Sequence, residues 1–151
     1  MKILVINGPN LNLLGLREPA IYGRTTYAEL LDMIRAWADE LGLAVDFFQS
    51  NHEGALVDAI QDAYGRYDGI LINPAAYTHT SIAIPDALKA VSLPAVEVHL
   101  TDTRHREPFR RISYTAPACE ISYIGLGPEG YKKGLEYLKN RFSPLSVCRK
   151  K

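Results

Sequence analysis

The chain has 151 residues, 47% hydrophobic and 23% charged, with 17 Lys plus Arg against 17 Asp plus Glu. That length suits a single domain, residues 1–151, with its own core, and the balanced charge excludes a global field directed at nucleic acid or an anionic membrane. No apolar stretch approaches the roughly 18–20 residues of a membrane span, and no leader-like pattern precedes the first apolar run.

Strand-like and helix-like segments alternate along the chain. Lys2–Ile6 is a β-branched run and the first predicted strand. A long connection follows, Asn7–Thr25, rich in Gly, Pro, Asn and Leu; loops of that length inside compact domains are usually functional. Thr26 and Glu29 have capping-box spacing, and Leu30, Leu31, Ile34, Ala38 and Leu41 form one apolar face, which predicts a helix stopping at Gly42. Val45–Phe48 is the second strand, and a helix near Glu53–Tyr64 buries Leu56, Val57, Ile60 and Ala63. Gly69–Ile72 is the third strand, and Ser81–Val91 reads as a helix in which Pro85 is tolerable near the first turn. Ala95–Val98 and Glu120–Ile124 are the fourth and fifth strands, with Cys119 taken into the same buried stretch. Pro128 opens a last helix whose stripe of Tyr131, Leu135, Leu138 and Phe142 runs until Pro144. This alternation predicts an α/β fold of flavodoxin-like type, a five-stranded parallel sheet flanked by helices on both faces.

Ligands of such folds bind beyond the carboxyl ends of the strands, and polar clusters stand at three of those ends: Asn7-Gly8-Pro9-Asn10, Asn73 through Ser81, and His99. Glu97 and His99 lie two apart and so share one face of a strand. A carboxylate beside an imidazole favours the imidazolium form a general acid needs, although the same pair also fits a hydrogen-bonded strand end. In the long loop, a guanidinium at Arg17 lowers the pKa of a nearby Tyr22 and makes it a candidate carbon base; taken alone, the local sequence fits a packed tyrosine and a solvated arginine better. His79 leads into a helix, where free N–H groups favour anions. Arg106 and Arg110, placed one helical turn apart, suit a carboxylate ligand or a solvated face.

Two His and one Glu from separate loops, without HxxxH-type spacing, do not make a zinc signature, so no metal is expected. Gly8-Pro9-Asn10 is neither a dinucleotide fingerprint nor a P-loop, and Gly125-Leu126-Gly127 reads as a turn, so no nucleotide cofactor is expected. Cys119 and Cys148 belong to no CxxC pair and read as reduced thiols of a cytoplasmic protein, with Arg149-Lys150-Lys151 as a solvated tail.

Taken together, Ile6–Gly23 (INGPNLNLLGLREPAIYG), Gln49–Gly54 (QSNHEG), Asn73–Ser81 (NPAAYTHTS), Glu97–His99 (EVH), Arg106–Arg110 (REPFR) and Gly125–Tyr131 (GLGPEGY) closely resemble the type II 3-dehydroquinate dehydratases, in order and spacing. The resemblance implies a cofactor-free trans-elimination of water from 3-dehydroquinate to 3-dehydroshikimate through an enolate, a shikimate-pathway step, in a homododecamer of trimers. It implies Tyr22 as base, Arg17 as its cationic partner, Asn10 as holder of a water at the enolate oxygen, and His99 as acid oriented by Glu97. It implies substrate binding by Asn73, His79 and Arg110 and by backbone N–H groups at Leu100 and Thr101. Arg106 would stand at the periphery, and Asp86 would reach a neighbouring subunit's site. One departure stands out: Leu100-Thr101-Asp102 follows EVH where the family usually has a small apolar residue, Ser and Asn. The Asp102 carboxylate is expected to weaken substrate binding unless Arg104, His105 or Arg106 offsets it. The rival readings are a flavodoxin-like binding module without catalysis and an FMN protein. Intact Arg17, Tyr22 and His99 argue against the first, and the missing phosphate loop argues against the second.

Overall fold

A computed structural model describes residues 1–16 and 24–142. Its centre is an all-parallel five-stranded sheet in the order β2-β1-β3-β4-β5. The strands are β1 (Lys2–Asn7), β2 (Ala44–Gln49), β3 (Gly69–Asn73), β4 (Ala95–His99) and β5 (Ile121–Ile124). The helices are α1 (Tyr27–Leu41), α2 (Glu53–Asp62), α3 (Ala83–Val91) and α4 (Glu129–Arg141). This is the flavodoxin-like arrangement expected from the alternation.

The sheet is buried on both sides, so its central strands read as continuous apolar runs. Period-two alternation divides β1 between two cores. Ile3 and Val5 pack with Leu30, Ile34 and Ala38 of α1 and with Tyr131, Leu135 and Leu138 of α4. Leu4 and Ile6 pack with Leu56 and Ile60 of α2 and with Ile84 and Leu88 of α3. The Thr26 capping box forms as its spacing predicts: Glu29 N–H donates to Thr26 Oγ1 at 3.2 Å, and Thr26 N–H donates to Glu29 Oε2 at 2.7 Å. Gly42 closes α1 at φ 68°.

Several boundaries differ from expectation. Strands β1, β3 and β4 each run one residue further, so Asn7, Asn73 and His99 are their last members rather than loop residues. Ladder pairing outlasts the apolar run, because Asn7 and Asn73 face one another in register. Helix α3 begins at Ala83, and Ser81 caps it from outside by accepting the Ile84 N–H at 3.0 Å. Cys119 lies ahead of β5, ending the 3-10 turn Ala116–Ala118, and is only partly buried; its N–H donates back into that turn, to the Ala116 carbonyl at 3.0 Å. Phe142 leaves the α4 stripe and is exposed. Arg106 and Arg110 are not one turn apart on a helix: two 3-10 turns, Thr103–His105 and Pro108–Arg110, separate them, and Pro108 stops any continuous helix there. Among the described residues no helix is long and apolar enough to cross a membrane.

Candidate active site

Beyond the carboxyl ends of β1, β3 and β4 lies an open cleft. Asn73, His79, His99, Thr101, Arg106 and Arg110 line it, with Leu11, Ala75 and Leu100 as apolar wall. The β1 and β3 ends meet tightly here. Gly8 N–H donates to the Asn73 carbonyl at 2.8 Å, and a Cβ on Gly8 would stand 2.5 Å from the Pro74 carbonyl oxygen. Only glycine allows that approach.

Glu97 is fully buried beneath His99. His99 Nε2 lies 2.9 Å from Glu97 Oε1, the orientation that leaves the ring's Nδ1 for a ligand. Thr78 Oγ1 donates to Oε1 at 2.6 Å, Ser113 Oγ to the same oxygen at 2.9 Å, and Ser122 Oγ to Oε2 at 2.8 Å. Burial alone would raise the Glu97 pKa, but the bond to His99 and the hydroxyl donors outweigh it and bring it down to about 2. Glu97 is therefore a held anion, and none of the three hydroxyls could be assigned to it from sequence, since they come from three separate segments.

The partner of His79 sets its tautomer. Its Nδ1 lies 2.6 Å from the Ile112 carbonyl, which only accepts, so Nδ1 carries hydrogen and Nε2 is the acceptor in the neutral ring. Burial, followed by the positive charges of His99 and Arg110, holds the His79 pKa below its ordinary value, against the Ile112 bond and Glu97. Arg110 Nε is buried and 3.1 Å from Glu107 Oε2, but the pair is not aligned as a hydrogen bond. Arg106 Nε lies 3.7 Å from the same carboxylate oxygen. The two guanidiniums thus reach one cleft from successive turns. Among the described residues, the backbone N–H groups of Leu100 and Thr101 take part in no turn or loop hydrogen bond to another backbone group, while the Gly125 and Gly127 N–H groups pin the carbonyls of His99 and Leu100 at 3.0 and 2.9 Å.

Asn10 sits at φ 66°, and its N–H donates to Asn51 Oδ1 at 2.9 Å. Gln49 Nε2 donates to the Gly8 carbonyl at 3.3 Å, so the QSNHEG segment braces the loop after β1. Asp86 is exposed in the first turn of α3 and does not line this chain's own cleft. Arg17 and Tyr22 lie outside the described residues. Asp102 does not line the cleft either. Arg104 grips its carboxylate with two guanidinium bonds, 2.9 Å to Oδ1 and 2.6 Å to Oδ2. That pairing lowers the Asp102 pKa and sets a positive charge directly against the carboxylate.

The family model for class II dehydroquinases matches residues 1–139. The chain belongs to the class II dehydroquinase family. It is 55% identical over 149 residues to a 3-dehydroquinate dehydratase of Campylobacter hominis, covering 99% of this chain and 96% of that one. It is 52% identical over 141 residues to a catabolic 3-dehydroquinase of Aspergillus clavatus, covering 93% and 94%. The crystal structure of a type II dehydroquinase from Butyrivibrio crossotus superposes with a TM-score of 0.90 at 51% identity, covering 91% of this chain and 97% of that one. As a class II dehydroquinase, the protein is a 3-dehydroquinate dehydratase, a hydro-lyase. Relatives named 3-dehydroquinate dehydratase and catabolic 3-dehydroquinase thus match at similar identity, 55% and 52%.

Proposed function

We propose that this dehydration runs as a stepwise trans-elimination through an enolate, without metal, cofactor or covalent imine. Tyr22, as phenolate beside Arg17, takes the proton next to the ketone, and the carbon–hydrogen electron pair becomes the enolate. Asn10 holds a water against the enolate oxygen. When the carbonyl re-forms, the hydroxyl on the neighbouring carbon leaves with a proton from His99, as water. Glu97, held as an anion, orients His99 and balances its charge through this step.

The observation that carries this reading is the Glu97–His99 pair at the edge of a cleft whose other polar groups suit a hydroxylated carboxylate. Arg110 supplies positive charge, the Leu100 and Thr101 N–H groups suit the carboxylate, His79 Nε2 suits a hydroxyl, and Asn73 adds an amide, with Arg106 nearby. The test is ultraviolet absorbance of the chelator-treated protein with 3-dehydroquinate, since the conjugated enone of the product absorbs and the substrate does not. Borohydride added with substrate is expected to leave activity intact; inactivation would point to an imine and overturn the enolate route.

The reading includes a homo-oligomer, a dodecamer of trimers in which Asp86 reaches a neighbour's cleft, and a cytoplasmic location. In support, the segments flanking His79 and Arg110 carry exposed Ile82, Phe109, Ile112 and Tyr114, and Asp86 is exposed too. Sedimentation of the purified protein tests the assembly, and a monomer with full activity would overturn it.

A further inference from the structure

The GLGPEGY segment ends in Tyr131, a fully buried tyrosine that the reaction does not use. Its hydroxyl lies beneath the cleft, between the last residues of β1 and β3. It donates to Asn7 Oδ1 at 2.6 Å and accepts from Asn73 Nδ2 at 3.0 Å. Asn7 Nδ2 in turn donates to Tyr27 Oη at 3.3 Å, and Asn73 Oδ1 accepts the Ala75 N–H at 3.1 Å.

These bonds run in one direction. Ala75 N–H can only donate, so Asn73 must turn Oδ1 toward it and Nδ2 toward Tyr131. The single hydroxyl hydrogen of Tyr131 then has to find an acceptor elsewhere, and Asn7 Oδ1 is that acceptor. Rotating the Asn7 amide would put its Nδ2 against Tyr131 and leave the phenol hydrogen without an acceptor in a dry interior, which is costly. Burial pushes the Tyr131 phenol above its ordinary pKa, against the lowering effect of the Asn73 bond, so the hydrogen stays in place. Among the described residues, one Asn73 Nδ2–H has no partner beyond the other's bond to Tyr131, and Asn73 lines the cleft.

We infer that Tyr131 is a positioning residue for substrate binding: through Asn7 it holds the Asn73 amide so that this wall of the cleft offers a ligand a hydrogen-bond donor. The inference rests on the reading of Asn73 as a substrate-binding residue. The ligand atom that fits there is an acceptor, a hydroxyl or carboxylate oxygen.

The experiment is steady-state kinetics with 3-dehydroquinate on Tyr131→Phe, Asn73→Ala and the double variant. Tyr131→Phe keeps the ring and removes only the hydroxyl. It is expected to raise KM about tenfold with kcat changed less than about twofold, a loss of uniform binding. The double variant is expected to be no worse than Asn73→Ala, because Tyr131 acts through Asn73. A purely structural tyrosine would lower thermal stability and leave the KM of the folded enzyme untouched, and that result overturns the inference. So do effects on KM that multiply in the double variant. If Asn73→Ala itself binds normally, the binding role of Asn73 falls, whereas a raised KM in Asn73→Ala beside a normal one in Tyr131→Phe removes only the positioning role. Should Tyr131→Phe not fold, Asn7→Ala carries the same test: it frees the phenol hydrogen to turn toward Asn73, and its KM is expected to rise, again without adding to Asn73→Ala.

Discussion

His99 Nε2 stands 2.9 Å from Glu97 Oε1, two residues back on the same face of β4. The carboxylate below the ring is fully buried, yet it carries its charge because His99 pairs with it and Thr78, Ser113 and Ser122 donate to it. Glu97→Gln removes that charge with little change of shape. It is expected to lower kcat by about 100-fold or more, the scale of general acid–base contributions, with KM nearly unchanged. Steady-state rates check this, and an unchanged kcat would remove the pair from the proton-transfer step.

The same carboxylate links folding to pH. Its folded pKa of about 2 lies below the ordinary 4.5, so the unfolded chain takes up the proton first. The stabilisation is complete above about pH 4.5 and is lost as pH falls toward 2. Denaturant midpoints measured across this window are expected to fall steeply for the native sequence and less steeply for Glu97→Gln.

Removing one hydroxyl tests the hydrogen-bonded collar. Ser122→Ala takes away the donor to Oε2 and leaves part of a buried anion unsatisfied, at a cost of about 1–3 kcal/mol. Chemical denaturation is expected to show that loss, together with a higher pH at the acid midpoint.

His79 is neutral near pH 7, with Nε2 free to accept. Acidification protonates that nitrogen and turns it into a donor. KM for 3-dehydroquinate is therefore expected to rise as pH falls below the ordinary imidazole value of 6.5. His79→Gln, which does not titrate, is expected to lose this acid limb; a limb that persists would assign it to another group.

Asp102→Asn is expected to change KM by less than about twofold, since Arg104 already holds the carboxylate and exposed pairs are worth little. A clear fall in KM would show that the Asp102 charge reaches the substrate after all.

Local pattern was enough wherever the physics is local. The Thr26–Glu29 cap and the Gly42 stop depend on neighbours along the chain, and the structure has them as read. Of the residues that the resemblance implies, Asn73, His79, His99, Leu100, Thr101, Arg106 and Arg110 line one cleft in the structure, while Asn10 and Asp86 do not. Boundaries were less legible: a polar residue such as Asn7 ends an apolar run without ending a ladder, because hydrogen bonding in a strand belongs to the backbone.

What the sequence by itself determined is the parallel α/β architecture, the reaction family and the residue types gathered at the strand ends. The tertiary structure decided how those groups are held. It brought Thr78, Ser113 and Ser122 to Glu97, fixed His79 by the Ile112 carbonyl, paired Asp102 with Arg104, and set Tyr131 between Asn7 and Asn73 across 124 residues of chain. Charge state and amide orientation follow from partners in space, and those partners are distributed over segments that no local spacing connects.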